Sequence, residues 1–202
     1  MVAGLFAAAC VPGGAGRIVA RPPWVEDREV ELREERLTLL AERDRVVVDV
    51  RYRFRAGALG EDLALVFPIP AAPARVERFG VALSGPGLPA ALLAAKVGPG
   101  ELGAVASFRV PWRGLARHRG RLRVRYEVRG RGRVRYWLES GAGWRGAIAR
   151  LSIEVRDPEG LLADARVPAL AAPSARPSPG GWRWLFHDVE PAGAVELVRR
   201  AY

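Results

Sequence analysis

Strict alternation of apolar and charged residues, repeated along the chain, is the feature that most limits what this sequence can become. In VVVDVRYRF, residues 46–54, one side of an extended strand carries Val46, Val48, Val50, Tyr52 and Phe54. The other side carries Asp49, Arg51 and Arg53. RLRVRYEVR, residues 121–129, repeats the pattern, with Leu122, Val124, Tyr126 and Val128 against Arg121, Arg123, Arg125 and Glu127. VRYWL, LSIEV and WRWLF continue it more briefly, and EVELREERLTLL supplies two short pieces, Val30 with Leu32 and Leu37 with Leu39. One apolar and one charged face per strand marks an antiparallel sheet with a core on one side and water on the other. Helical patterning is scarce. LPAALLAAK, residues 88–96, is alanine-rich enough for a helix, but it lies between SGPG and GPG turn signals and is equally a strand. ARPSPGG, residues 175–181, reads as a loop. The expected fold is all-β, a two-sheet antiparallel β-sandwich.

One hairpin follows from parity. RGRGR separates Val128 from Val134, and an odd-length loop keeps the apolar sets of both flanking strands on one face. The expected pairs are Val128 with Val134, Tyr126 with Tyr136 and Val124 with Leu138. The same register sets Glu127 opposite Arg135, Arg123 opposite Glu139 and Trp137 opposite Arg125.

The 202 residues are 50% apolar, enough for one sizeable core, and a single domain is expected over residues 13–202. Net charge is +10 with a pI near 11.1, usually the mark of a polyanion partner. Composition supplies another cause. Lys96 is the single lysine, Thr38 the single threonine, and asparagine and glutamine are absent, so arginine is the default surface charge of a GC-rich code. Cys10 is the single cysteine, which excludes an internal disulfide and a multi-cysteine zinc site. The start MVAGLFAAAC is too short to span a bilayer and lacks a basic beginning, yet its apolar run followed by small residues matches the end of a secretory signal. Residues 1–12 are therefore read as the remnant of a signal segment, its basic start lying upstream, or as a disordered N-terminus. AAAC also resembles a bacterial lipobox, which makes Cys10 a possible lipidation site.

Four local features invite functional readings. In FPIP, Phe67 and Ile69 point inward while Pro68 and Pro70 donate no backbone hydrogen bond, so the strand ends or runs along an edge. In SGAGW, Gly141 and Gly143 permit a sharp corner, which Trp144 would cap. Ser140 sits in no nucleophile motif. His118 and His187 are the two histidines, and Asp188 and Glu190 beside His187 lack metal-ligand spacing, so no metal or cofactor is expected. Residues 112–137 hold ten arginines against one acid, Glu127. Alternation gathers Arg121, Arg123, Arg125, Arg133 and Arg135 on one face beside Trp137. That is either a polyanion surface with a stacking partner or, the expected outcome, a solvated strand face.

The order of these motifs resembles the bacterial family catalogued as domain of unknown function 4424. The residues that carry the resemblance are Phe67, Pro68 and Pro70, then Tyr136, Leu138, Ser140, Gly141, Trp144, Gly146 and Ile148. It covers residues 13–202. The connection through GRGRVRYW is shorter than in that family, and a cysteine-containing loop is absent. The strand leading into FPIP also resembles, over half the chain, the VIT domain of inter-alpha-trypsin inhibitor heavy chains, an extracellular interaction module. The resemblance implies an exported β-sandwich and brings no catalytic residue. Together with the apolar start it leads to the expectation of a non-enzymatic binding or structural module of the cell envelope, periplasmic or at the surface and possibly lipid-anchored. Its partner would be an unknown protein or envelope component. The alternative is a polyanion-binding protein using the arginine face. A hydrolase has no visible nucleophile, base or metal set.

Overall fold

The computed structural model describes residues 30–56, 63–86, 88–100, 103–111, 119–130, 132–138, 146–167, 176–178, 180–190 and 192–200. Cys10, His118, Glu139, Ser140, Gly141, Gly143 and Trp144 lie outside the described residues.

The chain forms an all-β sandwich. Its strands are β1 (Val30–Ala41), β2 (Arg45–Ala56), β3 (Leu63–Ile69), β4 (Val76–Gly85), β5 (Leu88–Leu93), β6 (Ala95–Gly100) and β7 (Gly103–Val110). They continue with β8 (Arg119–Arg129), β9 (Val134–Trp137), β10 (Ile148–Arg156), β11 (Leu162–Arg166), β12 (Arg176–Ser178), β13 (Gly181–Val189) and β14 (Ala194–Arg199). The residues left open between helix and strand belong to β5 and β6, and the expected loop at ARPSPGG contains β12. Among the described residues, no helix is long and apolar enough to cross a membrane.

One layer is an eight-stranded sheet in the order β12-β13-β10-β1-β2-β8-β4-β5. Against it lie two three-stranded sheets, β11-β14-β9 and β3-β7-β6, and one continuous core draws on all three sheets. Among the described strands every pairing is antiparallel except β1 with β10. The alternation works as expected: Val46, Val48, Val50, Tyr52 and Phe54 are buried, and so are Leu122, Val124, Tyr126 and Val128.

The expected hairpin does not form. β8 is hydrogen-bonded on both sides, to β2 and to β4, so it has no edge left for β9, which pairs with β14 in the opposite layer. Tyr126 and Tyr136 are both buried, but they reach the same core from facing layers. Alternation determines which face of a strand is buried; it does not determine which strand lies alongside. The solvent-face pairs fall with the hairpin. Arg135 pairs with Glu196 at 2.9 Å, Arg123 with Asp49 at 2.6 Å, and Trp137 sits opposite Ala194. Glu127 is itself buried, opposite Val47 and Glu77, and lies 3.2 Å from Arg78 and 3.4 Å from Arg45.

A bulge decides the centre of the molecule. Along β1, Leu32 faces Phe54 and Glu34 faces Arg53, which leaves Arg33 as the extra residue. The shift reverses the parity of β1: Leu32 points inward before the bulge, and Glu35, Leu37 and Leu39 point inward after it. Phe67 of β3 fills the space between layers, its ring centroid 5.9 Å from Tyr126, 6.4 Å from Tyr136 and 6.4 Å from Phe79. β3 pairs with β7 alone among the described strands, the edge position that Pro68 demands, and it ends at Pro70. Just beyond, the backbone of Ile69 and Ala71 runs so close to Gly103 (φ +147°) that a Cβ there would meet Ile69 O at 2.5 Å. Phe67→Ala is expected to cost about 3–5 kcal/mol in urea unfolding, the range for emptying a buried aromatic site. Val66→Ala on the exposed side of the same strand should stay within about 0.5 kcal/mol.

Candidate functional site

Two constellations of polar side chains stand out, one inside the core and one on the outer face of the eight-stranded sheet.

The inner one is centred on Glu35, whose relative exposure is 0%. It sits opposite Tyr52 across the β1–β2 ladder, turned inward by the bulge. From the facing layer the Tyr136 hydroxyl donates to Glu35 Oε1 at 3.0 Å, and the Tyr52 and Tyr136 hydroxyls lie 2.9 Å apart. Glu35 Oε2 and the Tyr126 hydroxyl are buried with no hydrogen-bond partner among the described residues. Burial raises the Glu35 carboxyl from its ordinary 4.5 to about 8, opposed by the Tyr136 hydrogen bond. The same burial pushes the Tyr126 hydroxyl up. At neutral pH Glu35 is therefore a neutral acid, a hydrogen-bonding group within an apolar interior rather than a charge. The core encloses it on all sides, so it does not meet a solute from water.

The outer constellation arises from strand order. β1, β2 and β8 are neighbours, and their outward residues fall into rows across the ladders. Arg36 faces Arg51, which faces Arg123; one row away, Glu34 faces Arg53, which faces Arg121; in the next, Thr38 faces Asp49, which faces Arg125. All six arginines, these and no others in the three rows, are exposed. Two carboxylates lie among them. Asp49 accepts from Arg123 Nε at 2.9 Å and Nη2 at 2.6 Å, and from Arg51 Nη2 at 3.4 Å. Glu34 accepts from Arg36 and from Arg53, each at 3.2 Å. Burial alone would raise Asp49, but the hydrogen bonds and charges of Arg123 and Arg51 outweigh it and hold the carboxyl below its ordinary range. Further along the sheet, Glu154 is held low by hydrogen bonds from Arg156 and Arg183. Arg121 and Arg125 have no carboxylate partner among the described residues.

The structure thus keeps Arg121, Arg123 and Arg125 together and separates them from Arg133 and Arg135, which belong to the other layer. Trp137 is there too, half-buried, so it stacks on none of the β8 arginines. Phe67, Tyr136, Leu138 and Ile148 of the resemblance motif are core residues, and Gly146 (φ +72°) turns the chain into β10. His187 is exposed on β13 opposite Arg150, with Asp188 and Glu190 also exposed, and the described residues contain no cluster of potential metal ligands. Arg36 and Glu35 escape a reading by motif. Their one signal is the change of apolar parity between Leu32 and Leu37.

No family model matches the sequence, and no curated protein does. Among solved structures the chain is similar in fold to native leukotriene A4 hydrolase from Saccharomyces cerevisiae, at 9% identity and a TM-score of 0.51. The likeness covers 85% of this chain and 29% of that one. The yeast enzyme in complex with bestatin gives 9% identity and a TM-score of 0.49 over 84% and 28% of the two chains. The chain spans less than a third of that enzyme's length, and at this identity the likeness is one of fold alone.

The inner constellation makes stability depend on pH. The folded state holds the Glu35 proton more tightly than the unfolded chain does, so this stabilisation is complete below pH 4.5 and is lost as pH rises towards 8. The Glu35 contribution should fall by up to about 1.4 kcal/mol per pH unit across that window. Asp49 and Glu154 act with the opposite sign, adding stability that disappears as pH drops through their lowered values. Urea unfolding at pH 5, 6, 7 and 8 is expected to show the decline in the parent protein and a nearly flat profile in Glu35→Gln. A decline of the same slope in the variant would assign it to other groups.

Proposed function

We propose that the protein is a non-enzymatic binding module of the bacterial cell envelope, and that its contact surface is the arginine-bearing outer face of β1, β2 and β8. The observation that carries the contact surface is the row Arg36–Arg51–Arg123, like charges placed opposite one another across three neighbouring strands. Such juxtaposition weakens a sheet by itself and becomes favourable when a partner supplies negative charge. The non-enzymatic reading is supported by the location of the most displaced carboxyl. A strongly perturbed acid in a cleft suggests catalysis, whereas Glu35 is sealed in packed core. The envelope location rests on the resemblance to the unknown-function family and on the apolar, small-residue segment that leads up to Cys10.

A second reading has its own support. Asp49, Glu34 and Glu154 already neutralise several guanidinium groups, as in a face that only meets water. Retention on an anionic resin separates the two. Replacing Arg51, Arg53 and Arg121 by serine should move elution to distinctly lower salt, because each lost contact releases fewer condensed counterions. Replacing Arg109, Arg133 and Arg135, which removes equal charge elsewhere, should move it little. Equal shifts in the two variants would establish the solvated face.

A further inference from the structure

We infer that the anionic partner of this face is a linear polysaccharide carrying about one carboxylate or sulfate per sugar, laid across the strands along Arg123, Arg51 and Arg36. The inference rests on the contact surface proposed above and narrows its chemistry. Three observations point the same way.

The first is spacing. Residues opposite one another on neighbouring strands repeat every ~4.8 Å, close to the length that one pyranose unit adds to an extended glycan. Polyphosphate places its charges closer together than this row of arginines.

The second is what surrounds the row. Outward neighbours of the β8 arginines on β4 are Gly80, Ala82 and Ser84, opposite Arg125, Arg123 and Arg121 in turn. Beyond Ala82 stands Leu92 of β5, 86% exposed. On the other flank Arg36 is followed by Ser152 of β10 and Leu185 of β13. The row therefore has low shoulders and carries no aromatic ring. Single-stranded nucleic acid gains much of its affinity by stacking bases on aromatic side chains, and Trp137, the one ring the sequence offered for that purpose, lies in the opposite layer. Recognition here is by charge and hydrogen bonds alone.

The third is shape. Neighbouring strands rotate by ~20–25°, so from β5 to β13 the surface turns through more than about 100°. A planar bilayer meets only part of such a surface, while a flexible chain follows it.

The two carboxylates prepare the row rather than cancel it. Asp49 ties Arg123 to Arg51, and Glu34 ties Arg36 to Arg53, so the guanidinium groups are held in place before a ligand arrives. Each guanidinium has five N–H donors, and the acids use one or two of them. The remainder are free to meet a carboxylate or sulfate in the forked geometry that arginine favours.

The test is calorimetric titration of the full chain at physiological salt with polygalacturonate fragments and dextran sulfate. Single-stranded oligothymidylate, inorganic polyphosphate and phosphatidylglycerol vesicles serve as competitors of other classes. Polygalacturonate or dextran sulfate should bind saturably and at least about tenfold more tightly than the other three, a difference of about 1.4 kcal/mol. Arg36, Arg51 and Arg123 replaced together by serine should weaken that binding by about tenfold or more, whereas the Arg109, Arg133 and Arg135 variant should stay within about twofold. Thermal unfolding confirms that each variant is folded, and Arg51→Ser alone replaces the triple variant if that one is not. Tighter binding of the oligonucleotide, polyphosphate or vesicles overturns the polysaccharide assignment while leaving a cationic contact face, whereas equal weakening in both variants overturns the contact face itself. No binding by any of the probes overturns the contact face as well.

Discussion

A hydrogen bond between layers, from the Tyr136 hydroxyl to Glu35, is the interaction on which the rest of this sandwich depends. Apolar side chains hold sheets together without directing them, because dispersion and hydrophobic burial tolerate sliding. A hydroxyl that must find one carboxyl in a dry interior does not tolerate it. Tyr136 is on β9 of a small sheet and Glu35 on β1 of the large one, with Tyr52 of β2 beside both. The link therefore fixes β9 over the β1–β2 ladder. Phe67, in contact with Tyr126 and Tyr136, then fixes the second small sheet against the same point.

The outer face is a consequence of the same inner arrangement. Once the bulge at Arg33 has turned Glu35 inward, Glu34 and Arg36 must point outward, because neighbours on a strand face opposite ways. Arg36 then joins Arg51 and Arg123 in one row, and Glu34 lies beside Arg53. Without the extra residue, β1 would send Arg36 into the core and leave Leu37 and Leu39 in water. The charged row outside and the acid–tyrosine cluster inside are two results of one inserted residue.

The strand class, the buried face of β2 and β8 and the edge position of Pro68 were all legible in the sequence, because each depends on a period of two or on a missing N–H. What was not legible is adjacency. The odd loop between Val128 and Val134 satisfies the apolar pattern equally well as a hairpin within one sheet or as an arch between two, and β8 already had both edges occupied. Gathering Arg133, Arg135 and Trp137 with the β8 arginines carried the same assumption into the site. The true companions, Arg36 and Arg51, come from strands far earlier in the chain, which local spacing does not bring together. One clue was present: Leu32 and Leu37 differ in parity, and a strand that buries both must contain a bulge.

Composition explains why an acid occupies a position where a neutral hydrogen-bonding group is needed. With no asparagine or glutamine in the chain and a single threonine, the neutral polar side chains at hand are serine and tyrosine, histidine aside. Tyr52 and Tyr136 bring hydroxyls to the centre, and a hydroxyl pair there still needs an acceptor of fixed position. A glutamate pushed towards pKa 8 by burial has the shape and, when protonated, the charge of glutamine, and it accepts from Tyr136 as an amide carbonyl would. The same restriction operates outside. Where another protein would intersperse lysine, glutamine and asparagine, this one uses arginine, whose fork allows one carboxylate to hold two neighbours, as Asp49 and Glu34 do. A biased residue vocabulary thus supplies a cationic lattice with its spacing already set by the sheet. What such a face offers a partner is the set of donors left over after those internal pairs are made, and Arg121 and Arg125, which have no carboxylate partner among the described residues, spend none of theirs on an acid.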